Sequence, residues 1–170
     1  MSADRIGSRD VVELILADHR RFEDLFRELR SSEGDRRQAL ADLSALLVAH
    51  AEAEEAEVYP VLRRKAQVDD EEVEHGAEEH AEGHRALLAL WEAGEPGTED
   101  WDGKLEELSE SITHHLDEEE RTILNDARDT VGDAQREELG DAFSRARQVK
   151  LDADCGRPEY VRSLVASDNH

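Results

Sequence analysis

Cysteine is nearly missing from this 170-residue chain: Cys155 stands alone, so no internal disulfide can form. Proline is scarce too, with only Pro60, Pro96 and Pro158 to interrupt regular structure. Aromatic residues make up 4% of the chain, so a core has to be built from Leu, Ile, Val and Ala. No apolar run is long enough to span a membrane, and the opening MSADRIGSRD holds no hydrophobic signal core. These absences point to a cytoplasmic protein. Basic residues are outnumbered as well: 21 Lys and Arg stand against 44 Asp and Glu, a formal net charge of −23. Such a chain repels phosphate backbones and anionic membrane surfaces. That argues against nucleic acid or membrane as a partner, and it favours cations.

What remains is patterned for helices. Strand-like alternation is absent and helix formers abound, so the sequence reads as all-α. Helix breaks fall at SSEGD around Gly34, at the acidic QVDDEE and at GEPGTEDWDG. They delimit four long segments, roughly Arg9 to Leu29, Asp35 to Lys65, a third ending near Ala93, and Gly103 to Arg128. Pro60 is expected to kink the second. A fifth helix is expected from Asp133 to Val149, and beyond it a tail that either docks a short helix through Val161 and Leu164 or frays. The expected architecture is an up-and-down four-helix bundle with the fifth helix, over residues 1–150, followed by a C-terminal tail over 151–170.

Each long segment carries an apolar stripe stepping by three or four residues, and each stripe is interrupted. The first reads Val12, Ile15, His19, Phe22, Phe26, and the second Leu43, Leu47, His50, Glu54, Val58. The third reads Val73, Ala77, His80, His84, Leu87, Trp91, and the fourth Leu105, Leu108, Ile112, His115, Glu119, Ile123. One buried histidine has an ordinary explanation as a neutral, hydrogen-bonded core residue, and one glutamate can snorkel. Five histidines and two glutamates converging on one small core are a different matter. Burying ionised carboxylates without compensation is strongly unfavourable, and a metal centre supplies the compensation. The i, i+4 spacing keeps His50 with Glu54, His80 with His84, and His115 with Glu119 on single faces.

Seven donors exceed what one tetrahedral zinc uses. A mixed imidazole and carboxylate set suits iron, with zinc, copper or manganese as alternatives. For two octahedral irons, five histidines, two bridging carboxylates and one bridging oxygen fill about eleven of twelve positions and leave one open to O2, peroxide or nitric oxide. The ferritin-type Glu-x-x-His spacing occurs only at Glu72 and His75, and His75 lies off its stripe. The zinc-protease motif His-Glu-x-x-His is absent. His75 and His114 read as surface residues, Gly83 as a place for close packing beside His84, and Trp101 as part of a break.

The segments DHRRFEDLF, AHAEAEEAEVYP, EEHAEGH and HHLDEEE, in this order over roughly Asp10 to Arg128, resemble the hemerythrin-like, HHE cation-binding family of bacterial type. The resemblance implies a four-helix bundle around two iron ions with a bridging oxo or hydroxo group. It implies that Glu54 and Glu119 bridge the irons, that His80, His84 and His115 sit on one, and that His19 and His50 sit on the other beside the open position. Oxygen-carrying members have His-x-x-x-x-Asp on the last helix, whereas this chain has His-x-x-x-Glu at His115 and Glu119. His84 occupies a place that varies in bacterial members, and Tyr59 or solvent is the alternative donor. The resemblance implies O2 binding, catalase-like decomposition of hydrogen peroxide or handling of nitric oxide. The competing readings are an iron- or oxygen-sensing module without turnover and a helical interaction protein without metal.

Overall fold

The computed structural model describes residues 9–65 and 69–168. Most of the MSADRIGSRD opening, and Gln67 and Val68 of the QVDDEE break, lie outside the described residues. Among the described residues the regular elements are all helical. They are α1 (Val11–Arg30), α2 (Arg36–Ala53), α3 (Tyr59–Lys65), α4 (Asp70–Glu92), α5 (Glu99–Arg121), α6 (Ile123–Thr130), α7 (Asp133–Asp152) and α8 (Pro158–Asp168). A single π turn, Glu54–Val58, joins α2 to α3.

Helix starts follow side-chain caps, which satisfy amide groups that have no partner inside the helix. Asp10, Asp35 and Asp69 accept from the amides of Val12, Gln38 and Glu71 at 2.9, 3.0 and 2.9 Å. Thr98 accepts from the amide of Trp101 at 3.2 Å, so α5 begins ahead of the expected Gly103. Trp101 therefore sits in the first turn of α5 and is fully buried, not in a break. The turn before it is made by Gly94 and Gly97, whose φ angles of 88° and 90° suit residues without a Cβ.

Two of the expected continuous helices are interrupted, each just past a buried glutamate. In the π turn the Tyr59 amide bonds the Glu54 carbonyl, five residues back. The irregularity thus lies just ahead of Pro60, which has no amide to donate. Thr122, at φ −108° and ψ −84°, ends α5 three residues after Glu119, and its hydroxyl donates to the Glu118 carbonyl at 2.7 Å.

The four long helices close a ring of contacts, α1 on α2, α2 on α4, α4 on α5 and α5 on α1. Helix α7 lies across α1, α2 and the π turn, and α8 lies on α4. Buried Val161 anchors α8, and Leu164 packs beside it. The apolar core is split in two. One cluster gathers Phe22, Leu25, Leu29, Leu43, Leu47, Leu87, Leu90, Trp101, Leu108 and Ile112. The other gathers Val11, Ile15, Val58, Tyr59, Leu62, Val73, Ile123 and Phe143. On each long helix the stripe crosses from one cluster to the other at its His or His and Glu positions. A polar layer therefore separates two hydrophobic ends of the bundle.

Candidate metal centre

The layer is built from buried His19, His50, Glu54, His80, His84, His115 and Glu119. Six of the seven converge. Glu54, His80, His115 and Glu119 place one donor atom each within 4.8 Å of one another, and His19, His50 and Glu119 form a second such group. The carboxylates span the two. Oε1 of Glu54 stands 3.0 Å from Nε2 of His50 and 3.2 Å from Nε2 of His80. Glu119 reaches Nε2 of His19 with Oε1 at 3.1 Å and Nε2 of His115 with Oε2 at 3.6 Å. Two donors at right angles on an octahedral ion, each about 2.1 Å from it, are about 3.0 Å apart. The observed spacings suit such sharing.

The side chains are aimed at one another without hydrogen-bonding. Nε2 of His19, His50, His80 and His115, both oxygens of Glu54 and Oε1 of Glu119 have no hydrogen-bond partner despite complete burial. Native interiors rarely leave so many polar atoms unsatisfied, so the donor set fits a cation held among them. Electrostatics agree. Burial lowers the basicity of His50 and His80, but the carboxylates of Glu54 with Asp18, and of Glu54 with Glu55, outweigh it and raise each to about 10. Burial likewise favours the neutral form of Glu54, yet His50 and His80 hold its carboxyl well below the usual range. The core thus stabilises positive charge at its centre.

His84 lies outside both groups. Its ring is buried one turn beyond His80, with Nδ1 3.5 Å from Oδ2 of Asp168 at the end of α8. Burial and then the neighbouring His80 lower its basicity. It lines a small pocket with Phe22, Leu47, Gly83, Ile112 and Leu116, which has room for about one water-sized molecule beside His50, His80 and His115. A Cβ on Gly83 would stand 3.0 Å from Cδ1 of Ile112, so this glycine admits α5 close to α4.

Comparison with known proteins points the same way. Residues 10–127 match the family described as the hemerythrin HHE cation-binding domain. The chain belongs to this family. It is also 27% identical over 141 residues to a DNA nickase of Nostoc sp. (strain PCC 7120 / SAG 25.82 / UTEX 2576), a stretch that covers 81% of this chain and 39% of the relative. The chain therefore spans well under half the length of that protein. No solved structure matches it.

Around this hemerythrin-type layer lies a set of carboxylates that the stripe pattern missed. Asp18 of α1 accepts from Nδ1 of His50 at 2.8 Å. Glu55, just after α2, stands 3.4 Å from Nδ1 of His80 on α4. Glu79 of α4 meets Nδ1 of His115 on α5 at 3.1 Å, and Glu120 of α5 meets Nδ1 of His19 on α1 at 3.1 Å. Each carboxylate is next in sequence to a layer residue on its own helix, yet serves a histidine on the next helix round. The ring closes on itself. A carboxylate on the outer nitrogen fixes the imidazole's orientation and turns its other lone pair toward the centre. The available signal was an acidic neighbour beside each of His19, Glu54, His80 and Glu119. Tyr59 was legible only as an alternative donor. It is buried, stacked on His80 with centroids 5.8 Å apart, and its hydroxyl donates to Oε2 of Glu119.

Proposed function

We propose that this hemerythrin-family chain holds two iron ions with a bridging oxo or hydroxo group, and binds or reacts with O2, hydrogen peroxide or nitric oxide there. The observation that carries the reading is the spanning position of Glu54 and Glu119, each facing donors of both groups. In this reading His80 and His115 serve one ion, His19 and His50 the other, and both glutamates bridge. His84 lines the small pocket, and the Tyr59 oxygen supplies the further donor. Bound iron supplies a redox-active cation with an exchangeable position for a small oxidant.

The chain's own residues decide between binding and turnover. The pocket beside the centre is lined by Phe22, Leu47, Ala51, Ile112 and Leu116 together with His50, Glu79, His80, His84 and His115. Its small size limits water, and a site closed to water withholds protons and favours reversible binding over turnover. Catalase-like decomposition of peroxide needs proton delivery, for which His84, with Nδ1 3.5 Å from Asp168, is the group at hand.

Nicking of DNA, which the relative's name describes, is not proposed for this chain. A net charge of −23 opposes a nucleic-acid partner, and only part of that relative is shared. Among the described residues no helix is long and apolar enough to cross a membrane.

The test is metal content per chain with a visible spectrum taken before and after peroxide. About two irons and an oxo-bridge charge-transfer band are expected. No iron after anaerobic ferrous loading overturns the reading. A second reading, an iron-homeostasis module without turnover, is favoured by the unsatisfied buried donors, which make the empty layer unstable. Metal-dependent melting with neither O2 binding nor peroxide loss would select it.

A further inference from the structure

Outside the layer, on the faces of α4 and α5 that meet solvent, lies a second group of donors. His75 and Glu79 are i, i+4 on α4, and His114 and Glu118 are i, i+4 on α5. Nε2 of His75 stands 2.8 Å from Oε2 of Glu118 and 3.7 Å from Oε2 of Glu79. Nε2 of His114 stands 3.3 Å from Oε2 of Glu79 and 3.3 Å from Oε1 of Glu118. One donor atom from each of the four lies within 4.8 Å of the others. Two imidazoles and two carboxylates brought together by facing helices form a donor set suited to a divalent transition ion.

Two further features make this more than a charged surface. Glu79 is only 6% exposed and divides its carboxylate. Oε2 faces the outer histidines, while Oε1 meets Nδ1 of His115 in the buried layer at 3.1 Å. Three of the four, His75, Glu79 and Glu118, also line a cleft of about 250 Å³ that reaches His115 and Glu119 inside. Glu118, Glu79 and Glu119 thus put three carboxylates, from half-exposed to fully buried, along one cleft. The guanidinium side chain of Arg121 also lines the cleft, opposed by four carboxylates, those of Glu72, Glu79, Glu118 and Glu119. A second surface depression, lined by Asp69, Glu71, Glu72, Glu74 and Glu78, runs up to His75.

We infer that His75, Glu79, His114 and Glu118 form a divalent-cation site, separate from the buried centre, that captures metal and passes it inward past Glu79. The delivery half of this inference rests on the proposed buried iron centre; the outer site does not.

The test uses the full chain, stripped of metal, and Co(II) as the probe under anaerobic titration. Wild type is expected to bind one more Co(II) per chain than the double variant His75→Ala/His114→Ala. Glu118→Gln is expected to weaken that extra equivalent at least ~10-fold. His75 and His114 have side chains 53% and 63% exposed, so the variants should fold, and their unchanged circular dichroism and melting check this. Equal stoichiometry and affinity in wild type and variants would overturn the site. For delivery, ferrous iron is added in air and growth of the visible band is timed. A several-fold slower rise to the same end point is expected in the double variant, and an equal rate overturns delivery. Failure of the buried iron centre reads differently: no band forms in either protein, while the Co(II) difference persists.

Discussion

Arg147 of α7 donates to Oδ1 of Asp18 at 2.5 Å, although 129 positions separate them in the sequence. Through that contact the helix beyond the four-helix core reaches the layer, because Oδ2 of Asp18 accepts from His50. Phe143, one turn earlier on α7, presses edge-on against the same imidazole, with centroids 5.5 Å apart. Asp18 is half of a clamp on His50, and α7 holds the other half.

Loosening that clamp is expected to weaken metal binding while leaving the fold in place. Asp18→Asn should lower iron retention against a chelator by about 10- to 100-fold, and Arg147→Ala by less, since His50 keeps its acceptor. Iron remaining per chain after timed chelator challenge is the measurement. Wild-type retention in Asp18→Asn would show that the outer carboxylate does not position His50.

Removing a proposed ligand outright has a different signature. His50→Ala is expected to lose iron and the stabilisation that iron confers. A metal present at 100 times its dissociation constant adds about 2.7 kcal/mol, which for a chain of this size is a rise of roughly 5–10 °C in Tm. Wild type should show that rise on loading, and the variant should not. A helical protein without metal would instead find the substitution neutral or stabilising.

Tyr59 and His84 can be told apart as donors. Burial, then Glu119 and Glu54, raise the phenol of Tyr59 well above its ordinary range, so without metal it keeps its proton and donates to Glu119. Coordination to ferric iron would remove that proton and add a phenolate charge-transfer absorption. Tyr59→Phe is expected to abolish such a band, and His84→Ala to spare both band and iron. Loaded wild type without a phenolate band, together with iron loss in His84→Ala, assigns the position to His84.

Metal-free protein should lose stability as pH rises. His50 and His80 are each raised from 6.5 to about 10 in the folded chain. Their contribution is therefore full below about pH 6.5 and fades as pH climbs through about 10. Urea midpoints of the metal-free chain should fall between pH 6.5 and 9.5. Metal-loaded protein, with cations in place of those protons, should fall less. A flat metal-free profile would mean that these histidines are neutral when folded.

The inner faces were legible because helical periodicity assigns a residue to a side, and the His and Glu positions interrupt otherwise apolar stripes. Periodicity does not give depth along the axis. His84 shares a stripe with His80 yet sits a turn away from both donor groups. The ring of Asp18, Glu55, Glu79 and Glu120 was hidden for a related reason. These residues lie one step off their stripes and act on the neighbouring helix, so no single-helix pattern reports them. The start of α5 was misplaced because GEPGTEDWDG read as one break, whereas Thr98 already caps a helix that tolerates Gly103. The stop at Thr122 has no proline or glycine to announce it, and depends instead on a threonine hydroxyl turned back to its own helix.

The π turn also makes the chain's length at this point a matter of count. A π turn holds one residue more than an α-helix needs to cover the same path. Deleting a single residue among Glu55, Ala56 and Glu57 would let the helix run on unbroken. Tyr59 and Leu62 would then keep their places against Glu119 and in the core, because the residue removed is the one the bulge had absorbed. A further inserted residue would instead swing everything beyond it by about 100° and dismantle one wall of the centre, so this stretch should accept the loss of one residue far better than the gain of one.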